Sequence, residues 1–388
     1  MLAVLSFRRK AMAWTTAFIA MLALGACVGP FPSGGPTLGS SKSVKVALLV
    51  PKSSTNGATL AQSLENAAFL AVRDLSEVEV ELTVYDTAGT PAGATQAASQ
   101  ALSDGNKVIL GPLFAESANA AGQVAASRGV NVLAFSNNPS IAGGNVFILG
   151  NTFQTTADRL VNHAVRSGKG NIYIIHADDP AERLGAEAIQ RAAASNGGNV
   201  LGVQSFALSQ QGVINAIPGI ASNYRASGAN SVFVTSGNSG ALPFLAELLP
   251  ENGLDRDNAQ FVGLQRLDVP SSALSLKGLQ GAWFATPSPG LVQQFNNRYA
   301  SVYGSQPNPI AGLAYDGIAA IGALVAQGNP KALSAESLTQ GAGFAGVNGP
   351  FRFFRNGTNE RGLAVAKIEN NQVIVIDPAP RSFGGAGF

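Results

Sequence analysis

Three short polar segments each follow an apolar run of the kind that forms a buried β-strand. They are Pro51-Lys52-Ser53-Ser54, Gly111-Pro112-Leu113-Phe114-Ala115-Glu116-Ser117 and Ser136-Asn137-Asn138. Hydroxyl groups, amides and the free N–H groups of helix N-termini can bind a carboxylate without a full positive charge. The candidate ligand-binding residues are therefore Lys52, Ser53, Ser117, Ser136, Asn137 and Asn138. Ser and Asn also cap helices and turns, and that structural role is the alternative for each of them.

The single cysteine, Cys27, is placed for covalent attachment of lipid. Basic residues at 8–10 precede an apolar run over 11–24, and Leu-Gly-Ala-Cys ends at Cys27. This order is typical of a secretory signal, and the run is shorter than the roughly 20 residues needed to span a bilayer. Leu-Gly-Ala-Cys resembles the bacterial lipobox, whose cysteine thiol takes a diacylglycerol and becomes the first mature residue. Val28, where an Asp resembles an inner-membrane retention signal, indicates the outer membrane. The alternative is a free cysteine buried in an uncleaved anchor helix.

Other patterns do not indicate catalysis, and we expect no cofactor and no metal. Gly237-Asn238-Ser239-Gly240 lacks the Gly-x-Ser-x-Gly spacing of a nucleophile elbow, and the Gly-rich stretch 34–43 lacks the lysine of a P-loop. The single cysteine excludes a thiolate cluster, and two histidines, His163 and His176, disfavour a His-rich metal site. The acidic group Asp178, Asp179 and Glu182 is expected to begin a helix, with a metal site as the weaker alternative.

Composition excludes one large class of partner. The chain has 388 residues, of which 46% are hydrophobic and 12% charged, which predicts a folded globular protein of two or three domains. Three of the 25 Lys and Arg residues lie within residues 1–26, and none of the 23 Asp and Glu residues does. The mature chain is therefore close to neutral. It lacks the basic surface that a nucleic-acid-binding protein requires.

The hydrophobic pattern predicts two successive α/β units that would bring the polar segments together. In the first unit, predicted strands at 44–50, 78–85, 108–110 and 130–134 alternate with helices at 58–75, 91–103 and 116–127. The second unit has predicted strands at 171–176, 200–206, 231–235 and 260–264, with helices at 153–167, 181–195, 213–226 and 241–249. Later elements are a strand at 281–285, helices at 291–303 and 309–326, and strands near 349–354, 363–369 and 372–377, which we expect to add to both sheets. Ligands of open α/β sheets bind beyond the carboxyl ends of the strands, so a cleft between two lobes is predicted there.

Motifs along the chain resemble type I periplasmic-binding proteins, in particular the leucine/isoleucine/valine-binding group. The motifs are ALLVPKSS…LENAAFLAVRDL, LTVYDTAG, VILGPLFAESANAAGQVAASRGVNVLAFSNN, AYDGIAA and FAGVNGPFRFFRNGTNERG, and the resemblance covers nearly all of residues 44–377. It implies two open parallel-sheet lobes, a cleft between them and three crossovers near 150, 285 and 361. In amino-acid-binding members, the serine after the third strand and the hydroxyl cluster after the fourth hold the ligand carboxylate and amine. These roles map onto Ser117 and Ser136 and, less directly, onto Asn137 and Asn138.

The resemblance and the signal together predict how the chain is organised. The expected parts are a lipoprotein signal peptide (1–26), an acylated cysteine with a flexible linker (27–43), a first lobe (44–149 and 286–361), a second lobe (150–285 and 362–377) and a loose tail (378–388).

Three features differ from the transport pattern of this group. The first loop reads Pro51-Lys52-Ser53-Ser54 rather than Pro-Leu-(Ser/Thr)-Gly, residues 176–180 replace a Tyr-Gly element, and the chain carries a predicted lipid anchor. Another branch with this fold, the outer-membrane activators of penicillin-binding proteins, is lipid-anchored. The main prediction is therefore a non-catalytic envelope lipoprotein on the periplasmic side that activates a peptidoglycan synthase. The alternative is an ABC-transporter substrate-binding protein that takes branched-chain or other small amino acids or amides to a permease. A cell-wall hydrolase or transferase is a third, weaker alternative.

Overall fold

Near-continuous apolar runs form the central strands of two separate sheets. The computed structural model describes residues 36–38 and 42–383, so the predicted signal peptide and Cys27 lie outside the described residues. Each sheet is covered by helices on both faces, and apolar clusters fill the space on either side. The predicted α/β fold with two lobes is confirmed. Within the described residues, no helix has the length and apolar character needed to cross a bilayer.

The sheet of the first lobe has five parallel strands in the order β2-β1-β3-β4-β5. The strands are β1 (Ser43–Val50), β2 (Glu79–Asp86), β3 (Val108–Leu110), β4 (Asn131–Ala134) and β5 (Val146–Ile148). Helices α1 (Ala58–Asp74), α2 (Pro91–Ser103) and α3 (Ala115–Ala126) connect the first four strands. β1 is apolar along nearly its whole length because helices cover both of its faces, whereas the edge strand β2 alternates Val80 and Leu82 with exposed Glu79 and Glu81.

The sheet of the second lobe has seven strands in the order β14-β13-β10-β9-β8-β6-β7. The strands are β6 (Asn171–Ala177), β7 (Asn199–Phe206), β8 (Ser231–Val234), β9 (Gln260–Gly263), β10 (Trp283–Thr286), β13 (Ala364–Glu369) and β14 (Gln372–Asp377). Helices α4 (Phe153–Arg166), α5 (Pro180–Asn196), α6 (Gln210–Ser227) and α7 (Leu242–Glu251) cover its faces. β6 to β10 are parallel, and β13 and β14 extend the sheet in antiparallel pairing.

The late strands do not add to both sheets, so that prediction is wrong for the first sheet. β11 (Phe351–Phe353) and β12 (Asn359–Arg361) form a separate two-stranded sheet, and Phe351 also bridges to Phe344. Phe351 and Phe353 turn into the core of the first lobe instead of lengthening its sheet. Helices α8 (Pro289–Tyr303), α9 (Gly312–Ala326) and α10 (Ala335–Leu338) contribute to that same core.

The chain passes between the lobes three times, after β5, after β10 and after β12. The first and third crossovers are bonded to each other. The side-chain amide of Asn359 donates to the carbonyl oxygen atoms of Ile148, at 2.6 Å, and Gly150, at 2.8 Å. These bonds place two of the three connections side by side at the hinge.

A buried ion pair reinforces the same hinge. Nη1 of Arg361 lies 2.8 Å from Oδ2 of Asp316 on α9, and Arg361 and Asp316 are 5% and 0% exposed. Oδ1 of Asp316 accepts a hydrogen bond from the N–H of Val347 at 2.7 Å. Nε of Arg361 donates to the carbonyl oxygen of Leu149 at 2.8 Å, so the pair also holds the first crossover.

Part of the predicted linker is packed against the first lobe. Leu38 is 9% exposed and belongs to the apolar cluster of that lobe. Its N–H donates to the carbonyl oxygen of Pro330 at 2.8 Å. Burying an apolar side chain stabilises the contact, which a composition rich in Pro, Gly and Ser does not reveal.

The first residues of the predicted tail, 378–383, contact the folded lobes. The carboxylate of Asp377, at the end of β14, lies 2.8 Å from Nη1 of Arg159 and 3.0 Å from Nδ1 of His163. Beyond it, the ring of Phe383 lies over the guanidinium of Arg352, with 4.8 Å between the guanidinium carbon and the ring centroid. Charge and aromatic contacts therefore hold a segment that turn-forming residues alone would leave mobile.

Candidate ligand-binding site

The polar segments of the first lobe meet at one edge of its sheet. β1, β3 and β4 are parallel neighbours, so the segments that follow them share the carboxyl edge. Gly111 has φ +92°, and a Cβ there would overlap the carbonyl oxygen of Leu49, so this turn requires glycine. A Cβ on Gly89 would touch both the Ser54 hydroxyl, at 2.8 Å, and the Phe114 ring, at 3.3 Å. The loops after β1, β2 and β3 therefore converge.

Ser117 is the candidate residue of this edge whose hydroxyl lacks a hydrogen-bond partner within the described structure. It is the third residue of α3, is 1% exposed, and its Oγ has no hydrogen-bond partner among the residues that the structure describes. The N-cap residue of α3, Phe114, provides no side-chain bond to the free N–H groups of the first turn. An unsatisfied buried hydroxyl costs about 1–3 kcal/mol, and a helix N-terminus favours an anion. A carboxylate bound here would accept hydrogen bonds from the Ser117 hydroxyl and from the free N–H groups of the first turn.

Ser136, Asn137 and Asn138 lie beside the hinge and are engaged mainly in their own turn. The Ser136 hydroxyl accepts from the N–H of Asn138 at 3.1 Å, and Oδ1 of Asn138 accepts from the N–H of Ser140 at 2.9 Å. Ser136 is buried, whereas the Asn137 side chain is exposed. Gly150 of the first crossover packs against the peptide between Ser136 and Asn137, where a Cβ would lie 2.6–2.8 Å from its atoms. Within this cluster Asn137 is the side chain most available to a ligand.

Lys52 and Ser53 are paired with carboxylates of their own lobe. Nζ of Lys52 lies 2.9 Å from Oε2 of Glu65 on α1, and the N–H of Ser53 donates to Oδ1 of Asp86 at 3.2 Å. Burial opposes ionisation of Asp86, but hydrogen bonds from Ser53 and from the backbone N–H of Ala88 outweigh it and keep the Asp86 pKa below its ordinary value. The Lys52 ammonium is therefore neutralised within the lobe, and neither residue is held free for a ligand.

The carboxyl edge of the second sheet contains a carboxylate that accepts hydrogen bonds from groups of its own lobe. Oε2 of Glu182 on α5 accepts from the N–H of Ala177, at 2.6 Å, and from the Thr235 hydroxyl, at 3.0 Å. The Ser236 hydroxyl lies 2.8 and 2.9 Å from the two Glu182 oxygens. Asp179 caps the same helix through the N–H of Ala181 at 2.8 Å, as expected for an acidic helix start. The link from Glu182 to residues after β8 was not predicted, because it depends on β6 and β8 being neighbours.

Two surface cavities lie away from these residues. One of about 1080 Å³ lies between α7 and the amino ends of β9 and β10, at the opposite end of the second lobe. Another, of about 350 Å³, lies beside the second crossover, where Arg266 and Asp268 of the second lobe face Val292 and Asn296 of α8. The candidate site is therefore identified by its polar groups rather than by the size of a cavity. Among residues 36–38 and 42–383, no group of three or more His, Cys, Asp or Glu side chains is arranged to hold a metal ion.

Comparison with known proteins identifies the family. The family model described as periplasmic binding protein matches residues 43–372, so the chain belongs to the periplasmic binding protein family. Among curated proteins, none matches the chain.

Three solved structures show the shared fold. A branched-chain amino acid ABC transporter periplasmic ligand-binding protein from Burkholderia xenovorans LB400 has a TM-score of 0.69 at 18% identity, covering 88% of this chain and 94% of its own. An ABC transporter substrate-binding protein from Desulfitobacterium hafniense in complex with Leu has a TM-score of 0.64 at 16% identity, covering 86% and 100%. A solute-binding protein of an ABC transporter from Rhodopseudomonas palustris BisB5, in complex with 3,4-dihydroxybenzoic acid, has a TM-score of 0.60 at 17% identity, covering 89% and 99%.

Proposed function

We propose that this protein is the substrate-binding component of an ABC transporter and takes a small amino acid or another small carboxylic acid between its lobes. Membership of the periplasmic binding protein family supports a periplasmic, non-catalytic binding role. The related structures that carry Leu or 3,4-dihydroxybenzoic acid contain ligands that share a carboxylate. The alternative among the sequence predictions thereby becomes the main proposal.

The observation that carries this proposal is the buried, unpartnered hydroxyl of Ser117 at the uncapped start of α3. A ligand carboxylate there accepts a hydrogen bond from Ser117 and from free N–H groups of the first helical turn. Hinge closure then brings the carboxylate-bearing edge of the second lobe over the ligand. Because Glu182 already occupies the donors of that edge, the ligand is expected to present hydrogen-bond donors, such as an amine or hydroxyl groups, to the second lobe.

A thermal-shift screen against amino acids and small aromatic acids tests the proposal. A ligand at a thousand times its Kd adds about 4 kcal/mol, which raises Tm by roughly 5 °C for a chain of this size. Ser117→Ala removes a hydrogen bond to a charged group, worth about 1.5–3 kcal/mol, and is expected to weaken binding by about ten- to a hundredfold. The ligand-free Tm should not fall and is expected to rise by about 1–4 °C, because Ser117→Ala removes a buried hydroxyl that has no partner among the described residues and costs about 1–3 kcal/mol.

Ser99→Ala is the matched control, since Ser99 is exposed on α2 and its hydroxyl bonds only to its own helix at Thr95. It should bind as the unaltered chain does. If no compound raises Tm, or if Ser117→Ala binds as tightly as Ser99→Ala, the proposed site is wrong.

Lipid attachment at Cys27 and location at the outer membrane belong to the same proposal as further parts of it. The signal-like order of residues 1–27 supports lipid attachment and Val28 supports the outer membrane; mass measurement of the mature N-terminus tests the attachment, and membrane fractionation tests the location. A diacylglyceryl mass on Cys27 is expected. An unmodified Cys27 in the mature chain would refute this part and leave ligand binding untouched.

Activation of a penicillin-binding protein is the second candidate function. The fold comparisons do not support it, but one observation favours it over transport. The Glu182 carboxylate accepts hydrogen bonds from donors of the second lobe that would otherwise be available to a ligand, so it acts as an internal substitute for a ligand group. Stimulation of a purified peptidoglycan synthase by both the unaltered chain and Ser117→Ala would favour this candidate, and absence of stimulation would remove it.

A further inference from the structure

The last described residues run from the second lobe back to the first. Nη2 of Arg159 on α4 donates to the carbonyl oxygen atoms of Asp377 and Pro378, both at 3.1 Å. Two residues later, Pro380 reaches the third crossover at Gly362. A Cβ on Gly362 would lie 3.1 Å from Cγ of Pro380 and 2.9 Å from Cγ of Pro350. The crossover is therefore packed between two proline rings, one of them from the tail.

The far end of this segment is held by the first lobe. The Phe383 ring lies over the guanidinium of Arg352 on β11, and the Phe354 ring lies near the same group, at 5.4 Å. Nε and Nη2 of Arg352 are fixed by Oε2 of Glu360 on β12, at 2.8 and 2.6 Å. The hairpin that presents Arg352 belongs to the first lobe, because the neighbouring residue Phe351 is buried in its core.

We propose that residues 378–383, the C-terminal strap, act as a fourth and breakable connection between the lobes and restrict how they open. The three crossovers are covalent and permit hinge motion, but the strap spans the hinge from Arg159 of the second lobe to Arg352 of the first. A change in the angle between the lobes moves these two anchors relative to each other. Opening therefore requires the contact between Phe383 and Arg352 to break or shift.

The size of the effect follows from that contact. A cation–π contact at a partly exposed site changes an equilibrium by about two- to fivefold. Loss of Phe383 should therefore raise the population of other inter-lobe arrangements by about that factor, without unfolding either lobe. The inference does not depend on which ligand the cleft takes.

Distances between spin labels on the two lobes test the strap. The labels are placed at Ser99→Cys on α2 and Asn215→Cys on α6, both exposed, in the full chain carrying Cys27→Ser so that each lobe has one label. Phe383→Ala is expected to increase the population outside the main distance peak by about two- to fivefold. Phe244→Ala, which removes an exposed ring from α7, should leave the distribution as it was.

A chain that ends at Arg381 removes Phe383 by a second route and should give the same change as Phe383→Ala. Unchanged distances in both variants would overturn the proposal, and so would an equal change in Phe244→Ala. Ligand affinity is measured separately with the unlabelled chains, so a failure of the strap is distinguishable from a failure of the proposed ligand site.

Discussion

Asp316→Asn leaves the guanidinium of Arg361 buried at the hinge without a counter-charge. The substitution keeps the shape of the side chain, removes its negative charge and replaces one of its two acceptor oxygens with an amide donor. Asp316 and Arg361 are almost fully shielded from water, so the solvent cannot replace the lost partner. Breaking one side of a buried pair costs about 3–5 kcal/mol, most of it from the charge left behind.

The expected change in melting temperature follows from the size of the folded region. About 340 residues at roughly 2.1 cal/mol/K each give an unfolding entropy of about 0.7 kcal/mol/K. A loss of 3–5 kcal/mol therefore lowers Tm by about 4–7 °C. Glu81→Gln is the matched control, since its partner Lys45 lies 3.3 Å away and both side chains are about half exposed. An exposed pair contributes at most about 1 kcal/mol, hence less than about 1.5 °C.

Thermal unfolding at pH 7, followed by circular dichroism, measures both variants. The double variant Asp316→Asn with Arg361→Met should be no less stable than Asp316→Asn alone, because the second change removes the unpaired charge. A Tm for Asp316→Asn that is lower by less than about 2 °C would refute the reasoning. Arg361→Met is measured alone as well, and a double variant whose loss equals the sum of the two single losses would also refute the reasoning, since that outcome means that the two groups do not interact.

Two further substitutions test other carboxylates. Burial opposes ionisation of Asp377, but Arg159 and His163 outweigh it and hold the Asp377 pKa well below its ordinary value of about 3.9. The stabilisation from ionised Asp377 is then complete above about pH 5 and is lost as the pH falls through the native pKa. Asp377→Asn should therefore flatten the fall in unfolding free energy below pH 5, as measured by urea titration at several pH values. An unchanged slope contradicts this. Glu182→Gln leaves backbone and hydroxyl donors poorly matched and should cost about 1–3 kcal/mol, whereas Glu187→Gln, on the exposed face of the same helix, should melt within about 1 °C of the unaltered chain. Equal Tm values for these two variants would show that the Glu182 contacts contribute nothing.

Strands with clear apolar patterns were predictable from sequence, whereas β5 and β12 were not. The predicted strands at 108–110 and 372–377 coincide with β3 and β14. β5 was missed because its three residues lie between glycines at 143–144 and 150 and, unlike those of β3, do not follow a predicted helix. β12 was missed because Asn359 and Arg361 are polar. Both side chains are nevertheless buried, and their hydrogen bonds to the first crossover satisfy them there.

Some residues of the candidate site were likewise predictable from sequence, and others were not. Ser117 was predictable because a serine near the start of a helix after a buried strand is a local pattern. The contacts of Glu182 with Thr235 and Ser236 join residues 53 and 54 positions apart. They depend on the spatial order β8-β6-β7, in which chain order and neighbour order differ, and hydrophobic periodicity does not encode that order. Lys52 illustrates the converse, because its charge is visible in the sequence and its neutralisation by Glu65 is not.

The hairpin of β11 and β12 has a consequence for how the protein is made. Its residues Phe351 and Phe353 fill the core of the first lobe, and Arg361 completes the hinge, although all three belong to the last tenth of a chain of 388 residues. The first lobe begins at Ser43, so its hydrophobic core is finished only after nearly the whole polypeptide has been synthesised. Contacts between such distant segments form slowly during folding, because the long intervening chain must first be ordered. This delay keeps the early segments of the first lobe incompletely packed until the last ones have been synthesised.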